Sequence, residues 1–215
     1  MDFKALIFDL DGTILDNSEI YESAFREVLK EIGGKTFIEP LPIKGSVGVA
    51  PNWKILLSRY KVNTARSIKD LTFLTQEEYL KNLSKVKIQN GFLDFVEQAK
   101  KKEVKFALAT ANDKKVTNIC LNKFGLKDIF ENIVTLEEVE NLKPAPDVFI
   151  KASEKLGVLP IDCLVIEDAE AGITAAHAAG IRVACLVYEN DGEDKSSADF
   201  TFVSYADLAI QMFTA

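Results

Sequence analysis

Ala5-Leu6-Ile7-Phe8-Asp9-Leu10-Asp11-Gly12-Thr13, near the start of the chain, joins an apolar run to two closely spaced acids. The apolar run Ala5 to Phe8 reads as a buried strand. Side chains alternate along extended backbone, so Asp9 and Asp11 are expected to project together from the strand end, with Leu10 turned away. Two carboxylates side by side repel unless a cation, a shared proton or a donor compensates. Such a pair is costly in a core and useful in a site, where it holds a hard cation, attacks an electrophile or moves a proton. Gly12 allows a sharp turn and a close backbone approach to an anion, and Thr13 adds a hydroxyl. The plainer alternative is a capped turn with two solvated carboxylates. A calcium loop of the EF-hand type would need further oxygen ligands, a closing Glu and flanking helices, which this stretch lacks.

The rest of the chain sets the bounds. Its 215 residues fit one large domain, or a core with a smaller insert, and a 47% apolar content is ample for a hydrophobic core. A net charge of −7 argues against non-specific nucleic-acid binding. It leaves a phosphorylated small molecule open, because a local cation and a metal reverse the field within one pocket. Cys120, Cys163 and Cys185 are widely spaced in apolar segments and read as buried thiols of a reducing cytoplasm. There is no CxxC zinc pattern and no apolar stretch long enough to span a bilayer, and no signal peptide is expected. A cytoplasmic protein without a membrane partner is expected.

Outward from the opening strand, Ser18 reads as a helix N-cap with Glu19 in the first turn. Ile20, Tyr21, Ala24, Phe25, Val28, Leu29 and Ile32 follow at helical spacing until Gly33 and Gly34 stop them. From there to Asn90 no strand is expected. Trp53, Leu56, Leu57 and Tyr60, then Tyr79, Leu80 and Leu83, keep helical rhythm, broken early by Pro40, Pro42, Gly45, Gly48 and Pro51. After Gly91 short apolar strands and helices alternate. Strands are expected at Val104 to Ala109, Ile133 to Thr135, Cys163 to Ile166, Arg182 to Val187 and Phe200 to Val203, with a terminal helix. The intervening helices are closed by Gly125, Gly157 and Gly180. This alternation predicts an α/β fold, a mostly parallel sheet covered by helices on both faces, with ligands bound beyond the carboxyl ends of the strands. The helical stretch reads as an insert hinged near Asp16 and Asn90.

Three further strand-end groups fall where that rule places ligands. Thr110, Ala111 and Asn112 combine a hydroxyl with backbone N–H groups at a helix start, a natural phosphate seat, although Asn112 or Asp113 would serve equally as a plain helix cap. Lys143, before Pro144-Ala145-Pro146-Asp147, would supply a point charge for phosphate, against the background that most lysines are solvated surface residues. Glu167 and Asp168 end another apolar run and offer hard oxygen ligands of the kind magnesium prefers, or else Asp168 caps a helix beside an exposed Glu167.

In this order the motifs Asp9-Leu10-Asp11-Gly12-Thr13, Thr110, Lys143-Pro144-Ala145-Pro146-Asp147 and Glu167-Asp168-Ala169-Glu170-Ala171-Gly172-Ile173 resemble the haloacid dehalogenase-like superfamily of magnesium-dependent phosphotransferases. The resemblance covers nearly the whole chain. It implies a Rossmann-like catalytic core of residues 1–16 and 91–215, with residues 17–90 as an all-helical cap like that of the phosphoglycolate phosphatase and β-phosphoglucomutase branch. By the resemblance Asp9 is the nucleophile, attacking phosphorus in line to form an aspartyl-phosphate. Asp11 protonates the leaving oxygen, later deprotonates the attacking water, and touches the metal through its backbone carbonyl. Magnesium (Mg2+) is the implied cofactor, bound by Asp9 and Asp168, with Glu167 on a metal-bound water. Gly12, Thr110, Ala111, Asn112 and Lys143 hold the phosphoryl oxygens.

Asp11 favours phosphoryl transfer, since the true dehalogenases of the superfamily lack an Asp there. A response-regulator domain would place its acidic pair before the phosphorylated Asp, not last. β-Phosphoglucomutases commonly carry a His soon after the first motif and an Arg after a Lys-Gly segment. The matching positions here are Tyr21 and Gly48, which favours hydrolysis. His177 reads as a helix-surface or packing residue. Tyr21, Lys44 and Trp53 are the candidate specificity residues of the cap, each equally readable as cap packing or surface. The expected activity is a magnesium-dependent phosphatase, monomeric or weakly homo-oligomeric, acting on a small phosphorylated metabolite such as a sugar phosphate or phosphoglycolate. A phosphomutase is the rival enzyme, and a regulatory or binding protein on the same fold is the non-enzyme rival.

Overall fold

In β1 (Ala5–Phe8) every residue is buried, because alternate side chains enter two separate apolar clusters. Leu6 and Phe8 join one cluster and Ala5 and Ile7 the other, so both faces of the strand are covered. The computed structural model describes residues 3–33, 39–188 and 192–213. After β1 come β2 (Leu15–Asp16), α1 (Ser18–Gly33), α2 (Val49–Tyr60), α3 (Ile68–Lys81) and β3 (Lys87–Ile88). They are followed by α4 (Phe92–Lys100), β4 (Lys105–Ala109), α5 (Lys114–Phe124), β5 (Asn132–Val134) and α6 (Asp147–Leu156). The chain then runs through β6 (Cys163–Glu167), α7 (Glu170–Ala178), β7 (Arg182–Leu186), β8 (Phe200–Phe202) and α8 (Tyr205–Phe213).

The main sheet is parallel throughout, in the order β5-β4-β1-β6-β7-β8. Phe8 is level with Leu108 on one side and Ile166 on the other, so the carboxyl ends of β1, β4 and β6 form one edge. The chain leaves β1 first toward β4 and later toward β6. This reversal opens a crevice at the strand ends, where sheets of this type bind ligands. Helices α4, α5 and α8 pack the Phe8 face, and α6 and α7 the Ile7 face. The Phe8 ring meets Phe92, Phe95, Phe106 and Phe130 at centroid distances of 5.7–6.3 Å.

Helices α1 to α3 share a third cluster built on Phe25, Leu29, Trp53, Leu56 and Leu71. Trp53 is fully buried there, against Phe25, and its indole donates to Thr75 Oγ1 at 2.9 Å. The expectation that Trp53 selects substrate is therefore corrected: it is a core residue of the helical unit. Two short strands also lie where none is expected. β2 and β3 pair antiparallel, Leu15 with Ile88 and Asp16 with Lys87, and join the helices to the sheet. Strands of two residues are too short to show a period.

Smaller departures concern helix ends. Ser18 is the first residue of α1, and the carbonyl of Asn17 accepts from Ile20 and Tyr21, so the cap position is Asn17. Pro51 lies in the first turn of α2, where no intrahelical N–H is needed, and does not break it. Gly33 closes α1, whereas Gly34 lies outside the described residues. The three cysteines are buried thiols. Among the described residues no helix is long and apolar enough to cross a membrane.

Candidate active site

Three buried polar residues follow from the sheet register: Asp9 at the end of β1, Thr110 after β4 and Glu167 at the end of β6. Lys143 comes from the loop before α6 and is only 3% exposed. Its ammonium donates to Asp9 Oδ1 at 2.5 Å, Glu167 Oε1 at 2.8 Å and the Ala109 carbonyl at 3.2 Å. It also lies 4.7 Å from the Phe149 ring centroid. All three ammonium protons are thus directed into the site, which excludes the surface-lysine reading.

Glu167 is wholly buried. Besides Lys143, its carboxylate accepts from the backbone N–H of Asp168 at 2.8 Å and of Ala169 at 3.0 Å, and from Ser46 Oγ at 2.9 and 3.1 Å. Space for it exists because α7 carries Gly172 beside it: a Cβ there would lie 1.9 Å from Glu167 Cδ. The exposed-Glu167 alternative is excluded. Asp168 accepts from Thr13 Oγ1 at 2.8 Å, and its Oδ2 lies 2.0 Å from the place a Cβ on Gly12 would occupy. Gly12 itself has φ +78° and donates its N–H to Leu15 O at 2.8 Å and Asn17 Oδ1 at 3.1 Å. This N–H is thus committed within the chain. The tight turn directs it back to the chain, and the missing Cβ admits Asp168.

Asp9, Glu167 and Asp168 bring carboxylate oxygens within 4.8 Å of one another. An all-oxygen, acidic set of this kind suits a hard divalent cation. Electrostatics point the same way. Burial raises Asp9 to about 8, with Glu167 and Asp11 adding to the rise and Lys143 opposing it. Burial, then Glu167 and Asp9, hold Asp168 well above the usual carboxylate range. Burial would depress Lys143, but Asp9 and Glu167 override it and keep the ammonium charged. One lysine does not neutralise this many acids, and a divalent cation held here would supply the missing charge.

Asp11 is held differently. Asn17 Nδ2 donates to its Oδ1 at 2.5 Å, and Asn112 Nδ2 to its Oδ2 at 2.6 Å. Burial raises its pKa to about 6, with the two amides opposing the rise. Asp113 caps α5 through Val116 N–H at 2.8 Å, which releases the Asn112 side chain. Asn112, expected to hold phosphoryl oxygens, spans Asp11 and the Tyr21 hydroxyl, which donates to its amide oxygen at 3.1 Å. The Tyr21 ring stacks on Tyr79 at 4.0 Å, and the Tyr79 hydroxyl accepts from Asn17 at 2.9 Å. Thr110 Oγ1 accepts the Asn112 N–H at 3.1 Å.

A cavity of about 560 Å³ opens above these groups. Asp9, Asp11, Thr110, Ala111, Asn112 and Asp168 line the sheet side. Tyr21 and Lys44, both expected near the substrate, line the helical side with Glu22, Phe25, Ile43 and Ser46; Trp53 does not line it. Sequence reasoning passed over Asn17, Ser46, Tyr188, Glu193 and Lys195, which also border the cavity. Asn17 alone left a trace, as a polar residue at a helix start. His177 pairs with Asp199 at 2.9 Å as a helix-surface residue.

The sequence profile described as haloacid dehalogenase-like hydrolase matches residues 6–186. A fructose-1-phosphate phosphatase from Escherichia coli is 31% identical over 180 residues, 83% of this chain and 94% of its own. A β-phosphoglucomutase from Bacillus subtilis is 30% identical over 220 residues, 97% of this chain and 93% of its own. Among solved structures, the CbbY protein of Rhodobacter sphaeroides in complex with phosphate superposes with a TM-score of 0.84 at 23% identity, covering 96% of each chain. That likeness concerns the fold alone.

Proposed function

This chain belongs to the haloacid dehalogenase-like hydrolase family, and on that premise we propose that it is a magnesium-dependent phosphatase that hydrolyses the phosphate ester of a small metabolite through an aspartyl-phosphate on Asp9. The observation that carries the reading is the division between Asp9 and Asp11. Asp9 faces the Lys143 ammonium, whereas Asp11 is held by two neutral amides with its pKa raised to about 6. One carboxylate is set up to attack and the other to pass a proton near neutral pH.

Magnesium, held by Asp9 and Asp168 with Glu167 beside them, would supply positive charge to the transferring phosphoryl group. Asp9 attacks phosphorus while Asp11 gives a proton to the leaving oxygen. Asp11 then takes a proton from water as that water opens the aspartyl-phosphate. Lys143, the Thr110 hydroxyl and the Ala111 backbone offset charge on the equatorial oxygens. Asn17 and Asn112 aim Asp11, and helices α1 to α3 form a cap of residues 17–90 over the cavity, excluding bulk water during attack.

Hydrolysis is favoured over the mutase reading by Tyr21 and Gly48. The Tyr21 hydroxyl is committed to Asn112 and kept neutral by burial. Gly48 has φ +88°, and a Cβ there would sit 3.3 Å from Ala111 O. Neither position offers a cation to shield a phospho-enzyme from water or to grip a second phosphate. The E. coli relative's name places sugar phosphates first among substrates to test. The buried thiols accord with a cytoplasmic setting.

The test is a phosphate-release assay over sugar phosphates, phosphoglycolate and nucleotides with magnesium. Release from at least one ester is expected, and loss of it in Asp9→Asn and with chelator. Hexose 1-phosphate turning to hexose 6-phosphate faster than to free phosphate would move the reading to a mutase. No turnover across the panel would move it to a binding or regulatory protein.

A further inference from the structure

One loop of the helical unit reaches the acidic array itself. It runs from Lys44 to Gly48 and leads into α2. Asn52 holds its shape: its amide donates to Lys44 O at 2.9 Å and Gly48 O at 3.1 Å, and its Oδ1 accepts the Lys44 N–H at 2.8 Å. Missing side chains let the loop seat closely. A Cβ on Gly45 would lie 2.7 Å from the Ala169 Cβ, and one on Gly48 3.5 Å from the Ala111 Cβ. The Gly45 N–H donates to Glu193 at 3.1 Å. Between the two glycines, Ser46 has φ +57°, a left-handed conformation that serine adopts at a cost. That conformation directs its hydroxyl onto both oxygens of Glu167. Glycine would fit this backbone better, so the serine stands here against local preference.

Resting on the phosphatase reading, we infer that Ser46 is a positioning residue: its hydroxyl, carried by the loop, fixes the Glu167 carboxylate between Lys143 and the metal seat, so that the site is complete only with the loop in place. A terminal carboxylate torsion is soft. Glu167 takes one ammonium proton and two backbone N–H groups, and the Ser46 hydroxyl adds a donor from a different part of the fold. Ser46 acts on Glu167 and not on the substrate, so its loss is expected in kcat and in magnesium affinity, with KM held.

Two variants separate hydroxyl from backbone. Ser46→Gly relieves the left-handed conformation and removes the hydroxyl; Ser46→Ala removes the hydroxyl and keeps the conformation. Both are expected to lower kcat about 10-fold, the worth of one hydrogen bond to a charged group, with KM unchanged within about twofold. Magnesium binding, titrated by calorimetry without substrate, is expected to weaken several-fold in both. Wild-type kcat and magnesium affinity in Ser46→Gly would overturn the inference, as would a raised KM at unchanged kcat, which marks a substrate contact. If the wild type turns over no ester, the proposed activity fails by itself. The magnesium titration then decides Ser46 alone, and equal affinity in wild type and Ser46→Gly overturns it.

Discussion

Asp9→Asn should give a protein that is inactive and, without metal, more stable than the wild type. Asp9 is 2% exposed and lies beside Glu167, Asp168 and Asp11. Burial lifts its pKa from 3.8 to about 8. A carboxyl raised in this way contributes stability that is fully present below its unfolded pKa of 3.8 and is lost as pH rises through about 8. Each pH unit between those values costs about 1.4 kcal/mol, so at pH 7 the metal-free wild type forfeits up to about 4 kcal/mol at this one residue. Asparagine has the same shape, still accepts from Lys143 and does not ionise. At roughly 2–4 °C per kcal/mol for a chain of this size, the variant should melt up to roughly 8–16 °C higher at pH 7. Urea and thermal denaturation of chelator-treated protein at pH 5, 7 and 8.5 measures this. The gap should be small at pH 5, widen to pH 8 and then level off. Parallel pH slopes for the two proteins, or a variant less stable at every pH, would refute the electrostatic account of the site. Added magnesium should stabilise the wild type more than the variant.

Other substitutions test other parts of the arrangement. Lys143→Met leaves Asp9 and Glu167 buried without their cation and should cost about 3–5 kcal/mol of metal-free stability near neutral pH, together with nearly all turnover; denaturation with and without magnesium checks it, and an unchanged midpoint counts against the assigned pairing. Asn112→Ala removes a donor that favours ionised Asp11, so the pKa of Asp11 should rise above about 6. The alkaline limb of the kcat/KM profile, where the general acid loses its proton, should then move to higher pH; a shift to lower pH would contradict the role. Trp53→Ala should destabilise the helical unit by about 3–5 kcal/mol while leaving the ranking of substrates unchanged, as read by denaturation and by the ester panel.

Much of the architecture is legible because its signals are local. The runs from Ala5, Phe106 and Cys163 are continuous and apolar, and each ends in a polar residue whose position the parallel register then aligns. The grouping of Asp9 with Thr110 and Glu167 could be reached by combining strand ends, whereas the roles of Asp9 and Lys143 came from the family resemblance. What escaped was tertiary. Gly12 reads as room for an anion, yet the group filling that space is Asp168, brought by another strand. Asn112 and Asp113 are equivalent cap candidates in the sequence, and only the proximity of Asp11 and Tyr21 separates them. Ser46 meets Glu167 across 121 positions of sequence, and no local pattern marks such a meeting. Trp53 looks like a recognition residue until its neighbours are known.

Gly172 carries a consequence for how this site evolves. It stands inside α7 with no need for a left-handed backbone, and alanine would suit such a helix by about 1 kcal/mol. Its hydrogen is kept because the Glu167 carboxylate fills the volume a methyl group would claim. Gly12 does the same for Asp168. Both acids are seated in moulds cast from missing side chains, and neither glycine lines the cavity. A library varied only at cavity-lining positions would leave Gly172 untouched, and a screen for helix stability would replace it. The position is a hidden constraint on redesign, where a single added methyl group displaces the Glu167 side chain from its seat.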